Sequence, residues 1–226
     1  IGVVFGQRTQ LWWDLPTIES FQLLRKMYRV PQDRFDENLS ELTGLLQLEP
    51  LLPVPVRQLS LGQRMRCDLA ASLLHSPQIL FLDEPTIGLD AQAKIAVRRF
   101  IQEYNRRRKV TIILTTHDMN DIEELSHRIL VLKEGRIVYC GDVDGLRSST
   151  GARRRLIVDT EGSGRVPTIH GAEIRERNDR IEYLYDPAKI GTNEIIASIS
   201  SSRRIVDLFS EWEPIERIVA RMYQEQ

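Results

Sequence analysis

Two adjacent carboxylates, Asp83 and Glu84, close the short apolar run Ile79 to Leu82. Neighbouring residues at a strand end point in different directions. One carboxylate can then hold a Mg²⁺ shell while the other faces an attacking water, the two roles that phosphoryl transfer requires. General-base help of this kind contributes roughly 10²–10⁴-fold. Alone, the pair reads equally as a solvated turn leading into Pro85. Upstream, "LSLGQ" (Leu59 to Gln63) places a Ser cap and a Gly at the opening of a helix. Such an exposed helix N-terminus can receive an anion, although by itself the pentapeptide is an ordinary capped helix. His117 follows a second apolar run, "VTIILTT", and Gln7 follows a third, "GVVF". In a doubly wound sheet, ligands bind at the carboxyl ends of the strands. Three polar features far apart in sequence therefore fall at positions that would converge.

The elements that must place these residues are legible in outline. Ser60 and Gln63 have capping-box spacing, so a helix begins near Leu61, with Met65, Leu69 and Leu73 as its apolar stripe and Ala70 and Leu74 beside it. "ILFLD" and "VTIILTTH" read as buried strands, each followed by a helix. Asp90 caps the first of these helices, which carries Ala93, Ala96, Val97, Phe100, Ile101 and Tyr104 on one face. "RILVLKEGRIVYCG" reads as two strands around a turn at Glu134-Gly135. Apolar strands alternating with amphipathic helices indicate a parallel sheet covered on both faces. Between the first strand and this region, Thr17 to about Leu52 is helical in pattern, and "PLLPVPVRQ" ends it with prolines. After about Ser148 comes a linker-like "SSTGARRR". Beyond it lie strands exposed on one face, a short helix at "TNEIIASISSS", a strand "RIVDLF" and a final helix from Pro214.

Bulk properties narrow the class. The chain has 226 residues, 42% hydrophobic and 28% charged, with a net charge of −1. This is an ordinary globular balance and gives no reason to expect a nucleic-acid partner. Cys67 and Cys140 lack metal-ligand spacing and read as structural thiols; Cys67, beside Arg66, is expected to be inert. No apolar run has the length of a membrane span. The opening "IGVVF" reads as a strand already under way, which suggests an N-terminal truncation.

The order "LSLGQ", amphipathic helix, "ILFLDEPT", "GLD", then a strand ending in His resembles the nucleotide-binding subunit of ATP-binding-cassette (ABC) transporters, over residues 1 to about 145. "LSLGQ" is similar to the ABC signature LSGGQ, with Leu61 in place of the first Gly. "ILFLDE" resembles the Walker B strand, which implies Asp83 for Mg²⁺ and Glu84 as catalytic base. "GLD" resembles the D-loop, implying that Asp90 communicates across a dimer interface. His117 resembles the switch histidine that contacts the γ-phosphate. Gln7 resembles the Q-loop glutamine that senses Mg²⁺ and nucleotide, with Gln10 as a rival. Ser60, Gly62 and Gln63 would close the ATP site of a partner subunit. The implied fold is an α/β, P-loop-NTPase-like ABC ATPase core, an incomplete parallel sheet with a helical subdomain, plus a small α+β appendage. Its divisions would be 1–146, with the helical subdomain at 17–58, and 147–226. The appendage resembles those of drug-export and other ABC-2-type ATPases.

The resemblance implies an ATPase with ATP and Mg²⁺ as cofactors. Its partners would be a transmembrane permease subunit and either a second copy or a second ATPase subunit. It would sit peripherally at the cytoplasmic face of a membrane. Yet the Walker A loop, G-x-x-x-x-G-K-[ST], is missing, and no Gly-Lys pair occurs anywhere in the chain. The chain by itself is therefore expected to bind MgATP poorly and not to hydrolyse it, and its sheet to present an exposed edge. The alternatives are a non-catalytic ABC-like regulatory or binding module and, less favoured, a soluble ABC protein of translation or DNA repair. Trp12-Trp13 either receive a membrane subunit or pack on the helical region.

Overall fold

The computed structural model describes residues 1–6, 8–161, 165–177 and 180–224. The chain divides into two compact units, Ile1–Ser126 and His127–Gln226, each with a core of its own.

In the first unit, strands β1 (Gly2–Phe5), β2 (Ile79–Asp83) and β3 (Thr111–Thr115) form a parallel sheet in the order β1-β2-β3. Val4 lies opposite Leu82, and Leu82 opposite Leu114. Five helices accompany the sheet: α1 (Thr17–Met27), α2 (Gln32–Leu46), α3 (Leu61–Leu73), α4 (Ala91–Arg108) and α5 (Met119–Leu125). The helical run expected from Thr17 to Leu52 is two helices. Arg29 turns into the left-handed region and Pro31 restarts the chain, and a left-handed Gln47 ends α2. The α3 stripe is buried as its spacing predicts: Met65, Leu69, Ala70, Leu73 and Leu74 all join the core with Val4, Leu80 and Leu82. On α4, Val97, Phe100, Ile101 and Tyr104 are buried, but Ala96 is exposed and Arg98 is buried instead.

The expectation that both faces of this sheet are covered is corrected. Successive strand residues point to opposite faces. Val4, Leu80 and Leu82 take one face into the helical core. The register sets Val3, Phe81 and Ile113 side by side on the other. There Phe5 is 52%, Phe81 37% and Ile113 44% exposed. Among the described residues, the outer edge of β3 has no strand partner in this sheet. A parallel sheet with one bare apolar face is unusual, because crossover helices ordinarily bury both.

In the second unit, β4 (Ile129–Lys133) and β5 (Arg136–Gly141) form a hairpin. Its turn residues, Glu134 and Gly135, both have positive φ, the conformation of a two-residue I′ turn. The short helix α6 (Val143–Ser149), which the sequence pattern did not announce, is capped by the Asp142 carboxylate accepting from the Gly145 amide at 2.6 Å. Strands β6 (Arg154–Glu161), β7 (Ala172–Arg177), β8 (Arg180–Tyr185) and β9 (Arg204–Trp212) form an antiparallel sheet in the order β7-β8-β6-β9. Helix α7 (Thr192–Ser200) covers its apolar side, where Leu156, Val158, Ile181, Tyr183, Tyr185, Ile195 and Ile199 are buried. The other side carries cross-strand charge pairs, among them Arg180–Asp159 and Arg155–Glu182. Helix α8 (Ile215–Gln224) ends the described chain.

Candidate functional site

The carboxyl ends of β2 and β3 bring Asp83, Glu84 and His117 together. Glu84 leaves β2 with φ 50°, in the left-handed region that residues with a Cβ rarely occupy. Three contacts hold it there. Its amide donates to the Thr115 carbonyl at 2.9 Å, and the Gly6 amide donates to the Asp83 carbonyl at 2.7 Å. Gly6 also lies so close that a Cβ there would fall 2.0 Å from the Glu84 carbonyl oxygen, which explains the glycine. Strain of this type costs about 1–3 kcal/mol and persists where the surroundings over-determine it. The result aims the Glu84 carboxylate at His117: Oε1 and Nδ1 are 2.7 Å apart, a hydrogen bond in which Nδ1 donates when it carries the proton. Glu84 is partly buried and His117 is largely exposed.

Asp83 is exposed at the tip of β2, and one of its carboxylate oxygens accepts from the Thr115 hydroxyl. The other oxygen is available to a cation. Among the described residues no group of ligating side chains forms a metal cage. A single exposed carboxylate with one oxygen unengaged fits Mg²⁺ of the kind held by one or two carboxylates plus substrate phosphates.

Ser60, Gly62 and Gln63 open α3 as a complete capping box. The Ser60 hydroxyl accepts from the Gln63 amide at 3.2 Å, and the Gln63 side chain accepts from the Ser60 amide at 2.9 Å. Asp90 caps α4 by accepting from the Ala93 amide at 2.8 Å. These two turns pack on each other. A Cβ on Gly62 would meet the Ala93 Cβ at 3.1 Å, and one on Gly88 the Leu61 side chain at 3.1 Å. A side chain at Gly62 would therefore crowd the first turn of α4. No hydrogen bond among the described residues joins the α3 N-terminus to Asp83, Glu84 or His117. Gln7 lies outside the described residues. Its rival Gln10 is engaged: its side chain donates to the Asp68 carbonyl on α3 at 3.3 Å.

Sequence reasoning missed the buried polar residues behind the site. Asp68, on α3, accepts from the Thr9 hydroxyl and the Gln10 amide and so latches the loop after β1 to the signature helix. Arg98 and Asp121 form a buried ion pair at 2.6 Å. The one legible hint was an arginine next to Val97 at the edge of an apolar stripe. Cys67 is fully buried, and burial pushes its thiol up to about 12, so its expected inertness is physically accounted for.

The chain has relatives among known proteins. A family described as "AAA domain, putative AbiEii toxin, Type IV TA system" matches residues 12–121, just under half of the chain, a span that holds Asp83, Glu84 and His117. The ABC transporter ATP-binding protein NatA of Bacillus subtilis is 29% identical over 66% of this chain and 60% of its own length. The methionine import ATP-binding protein MetN of Erwinia pyrifoliae is 37% identical over 63% of this chain and 44% of its own. Its homologues are ATP-binding proteins of ABC transporters. The fold is likewise that of an ABC ATPase. The structure of cbiO1 from Clostridium perfringens, part of the ABC transporter complex cbiONQ, superposes with a TM-score of 0.58 at 27% identity, covering 65% of this chain and 59% of that one. A dimeric, post-hydrolysis ATP-binding cassette, MJ0796, bound to ADP and Pi, gives 0.54 at 27% identity, over 63% of this chain and 62% of that one. The chain spans about half the length of the curated relatives, and no described helix is long and apolar enough to cross a membrane.

Proposed function

We propose that this chain is part of an ATP-binding subunit of an ABC transporter that couples ATP hydrolysis to transport, with export as its direction. The observation that carries the reading is the Glu84–His117 pair at 2.7 Å beside the exposed carboxylate of Asp83, all at the carboxyl ends of parallel strands. Glu84 acts as general base on the attacking water. His117 orients that carboxylate and faces the terminal phosphate with its other ring nitrogen. Asp83 holds Mg²⁺, which supplies charge neutralisation on the phosphates when bound. Gln7 is assigned to the same cation and nucleotide. Ser60, Gly62 and Gln63 serve the site of a second ATPase subunit or second copy. Asp90, which caps α4, is assigned to communication across the dimer. On this reading residues 1–146 belong to the ATPase part, with 17–58 its helical subdomain, and 147–226 form the appendage. A transmembrane permease binds the helical side, where Trp12 and Trp13 are exposed, at the cytoplasmic face of the membrane.

On this reading the phosphate cradle is supplied by polypeptide outside these 226 residues, since they hold no Gly-Lys pair. The bare face of β1, β2 and β3 supports that reading. The chain alone is therefore expected to bind MgATP weakly and to leave it uncleaved. The test compares MgATP binding and hydrolysis by this chain with those of a protein extended to the full length of its relatives. Glu84→Gln in the longer form should keep binding and stop turnover. Turnover by the 226 residues alone, lost with Glu84→Gln, would sink the claim that a phosphate loop is needed. A longer form that binds no nucleotide would favour the non-catalytic module.

A further inference from the structure

The segments that carry Glu84 and His117 converge on one buried side chain. Asp121, on α5, is fully buried. Its Oδ2 accepts from the Thr86 hydroxyl at 2.6 Å and from the Thr116 hydroxyl at 3.2 Å. Its Oδ1 accepts from Arg98 Nε at 2.6 Å. Thr86 lies two residues after Glu84, and Thr116 immediately precedes His117. The residue after His117, Asp118, is held by Arg98 at 3.2 Å and by Lys94 at 2.6 Å. Arg98 also reaches Glu124 at 3.1 Å. Both arms of the Glu84–His117 pair are thereby fixed to a common anchor on α4 and α5.

We propose that Asp121 is the positioning residue of the Glu84–His117 pair: one buried carboxylate that holds the two strand-end turns in the register at which the carboxylate and imidazole meet. A hydrogen-bonded pair on two loops, one partner half-buried and the other exposed, would otherwise sample many separations. Precision of about half an ångström requires supporting side chains whose own rotamers are locked. Thr86 and Thr116 are short, β-branched and stiff at χ1, so tying their hydroxyls to one oxygen fixes the backbone on either side. Arg98 holds Asp121 in place through the 2.6 Å contact to its Oδ1, and a buried carboxylate is accommodated when paired and hydrogen-bonded. The geometric part of this inference stands on the structure, and its catalytic meaning rests on the ATPase reading above.

The test reads the His117 ring nitrogens by NMR in the 226-residue chain, assigned with His117→Gln. Glu84→Ala defines the signal of the unpaired ring. Asp121→Asn and Thr86→Val should each move the His117 Nδ1 signal at least about half-way towards that of Glu84→Ala, and Thr86→Ser should restore it. Leu69→Ala, a core change away from the network, should leave it in place. If Asp121→Asn does not fold, the Thr86→Val and Thr86→Ser pair decides. The proposal is overturned if Thr86→Val keeps the wild-type His117 signal, or if Leu69→Ala moves it as far. In the longer, hydrolysing protein, Thr86→Val should lower kcat at least tenfold with KM little changed, and Thr86→Ser should recover it. A longer protein without turnover would remove the ATPase reading and leave the NMR result to decide the clamp.

Discussion

Asp68 offers a quantitative check on how the loop after β1 is held. Its carboxylate is 4% exposed and accepts from Thr9 Oγ1 at 2.8 Å and from the Gln10 amide at 3.1 Å. Burial raises it from 3.8 to about 6, against the opposing pull of Thr9, Gln10 and Arg64. The folded state therefore binds the Asp68 proton more tightly than the unfolded chain does. The associated stability is fully present below the unfolded value and is lost as pH rises through the folded one. A displacement of that size corresponds to about 3 kcal/mol, spread between about pH 4 and pH 6. Asp68→Asn keeps the carbonyl acceptor for both donors and removes the titration. Urea unfolding of both proteins across this window isolates Asp68, because every other group cancels in the difference. The variant should gain on the wild type by up to about 3 kcal/mol as pH rises, less whatever attraction to Arg64 is lost. A difference that stays flat with pH would refute the assignment of a desolvated carboxylate. A difference of opposite slope would mean that Arg64 and the two hydrogen bonds outweigh burial.

Three further outcomes follow from packing. A small thiol reagent applied to the native chain should label Cys140, which is exposed, and spare Cys67 until the protein unfolds; equal labelling would contradict the buried placement of α3. Gly6→Ala drives a Cβ into the Glu84 carbonyl, a backbone atom that cannot step aside cheaply, so denaturant unfolding should show a loss of about 2 kcal/mol or more. Leu61→Gly removes a half-buried side chain that rests against the Gly88 turn and adds backbone freedom to the first turn of α3, for a loss of about 1–2 kcal/mol. An unchanged unfolding midpoint in that variant would mean that Leu61 does not join the signature turn to the one before Asp90.

What the sequence displays and what it conceals divide along a physical line. Helix α3 and strand β2 were legible almost to the residue, because periodicity, a Ser cap and a terminal carboxylate are local signals. Asp83, Glu84 and His117 were legible as a set because strand ends in a parallel sheet converge whatever lies between them. The break between α1 and α2 was less visible: the apolar spacing runs on across it, and the chain is turned by the left-handed Arg29 and by Pro31. Helix α6 and strand β7 are short and polar, so neither carries enough apolar residues to show a period.

The buried polar groups were concealed for a deeper reason. Asp68, Arg98 and Asp121 are tolerated in the interior only because specific donors and acceptors from other elements reach them, and those pairings exist only in the folded chain. A local pattern sees Arg98 as one more charge on a charged helix. In the fold it lies between Asp118, Asp121 and Glu124, next to the turn that holds His117. Residues that face a ligand announce themselves by type at a strand end, since solvent or ligand is their partner. Residues that aim them have partners inside the protein, and so they become visible once the strands are in register.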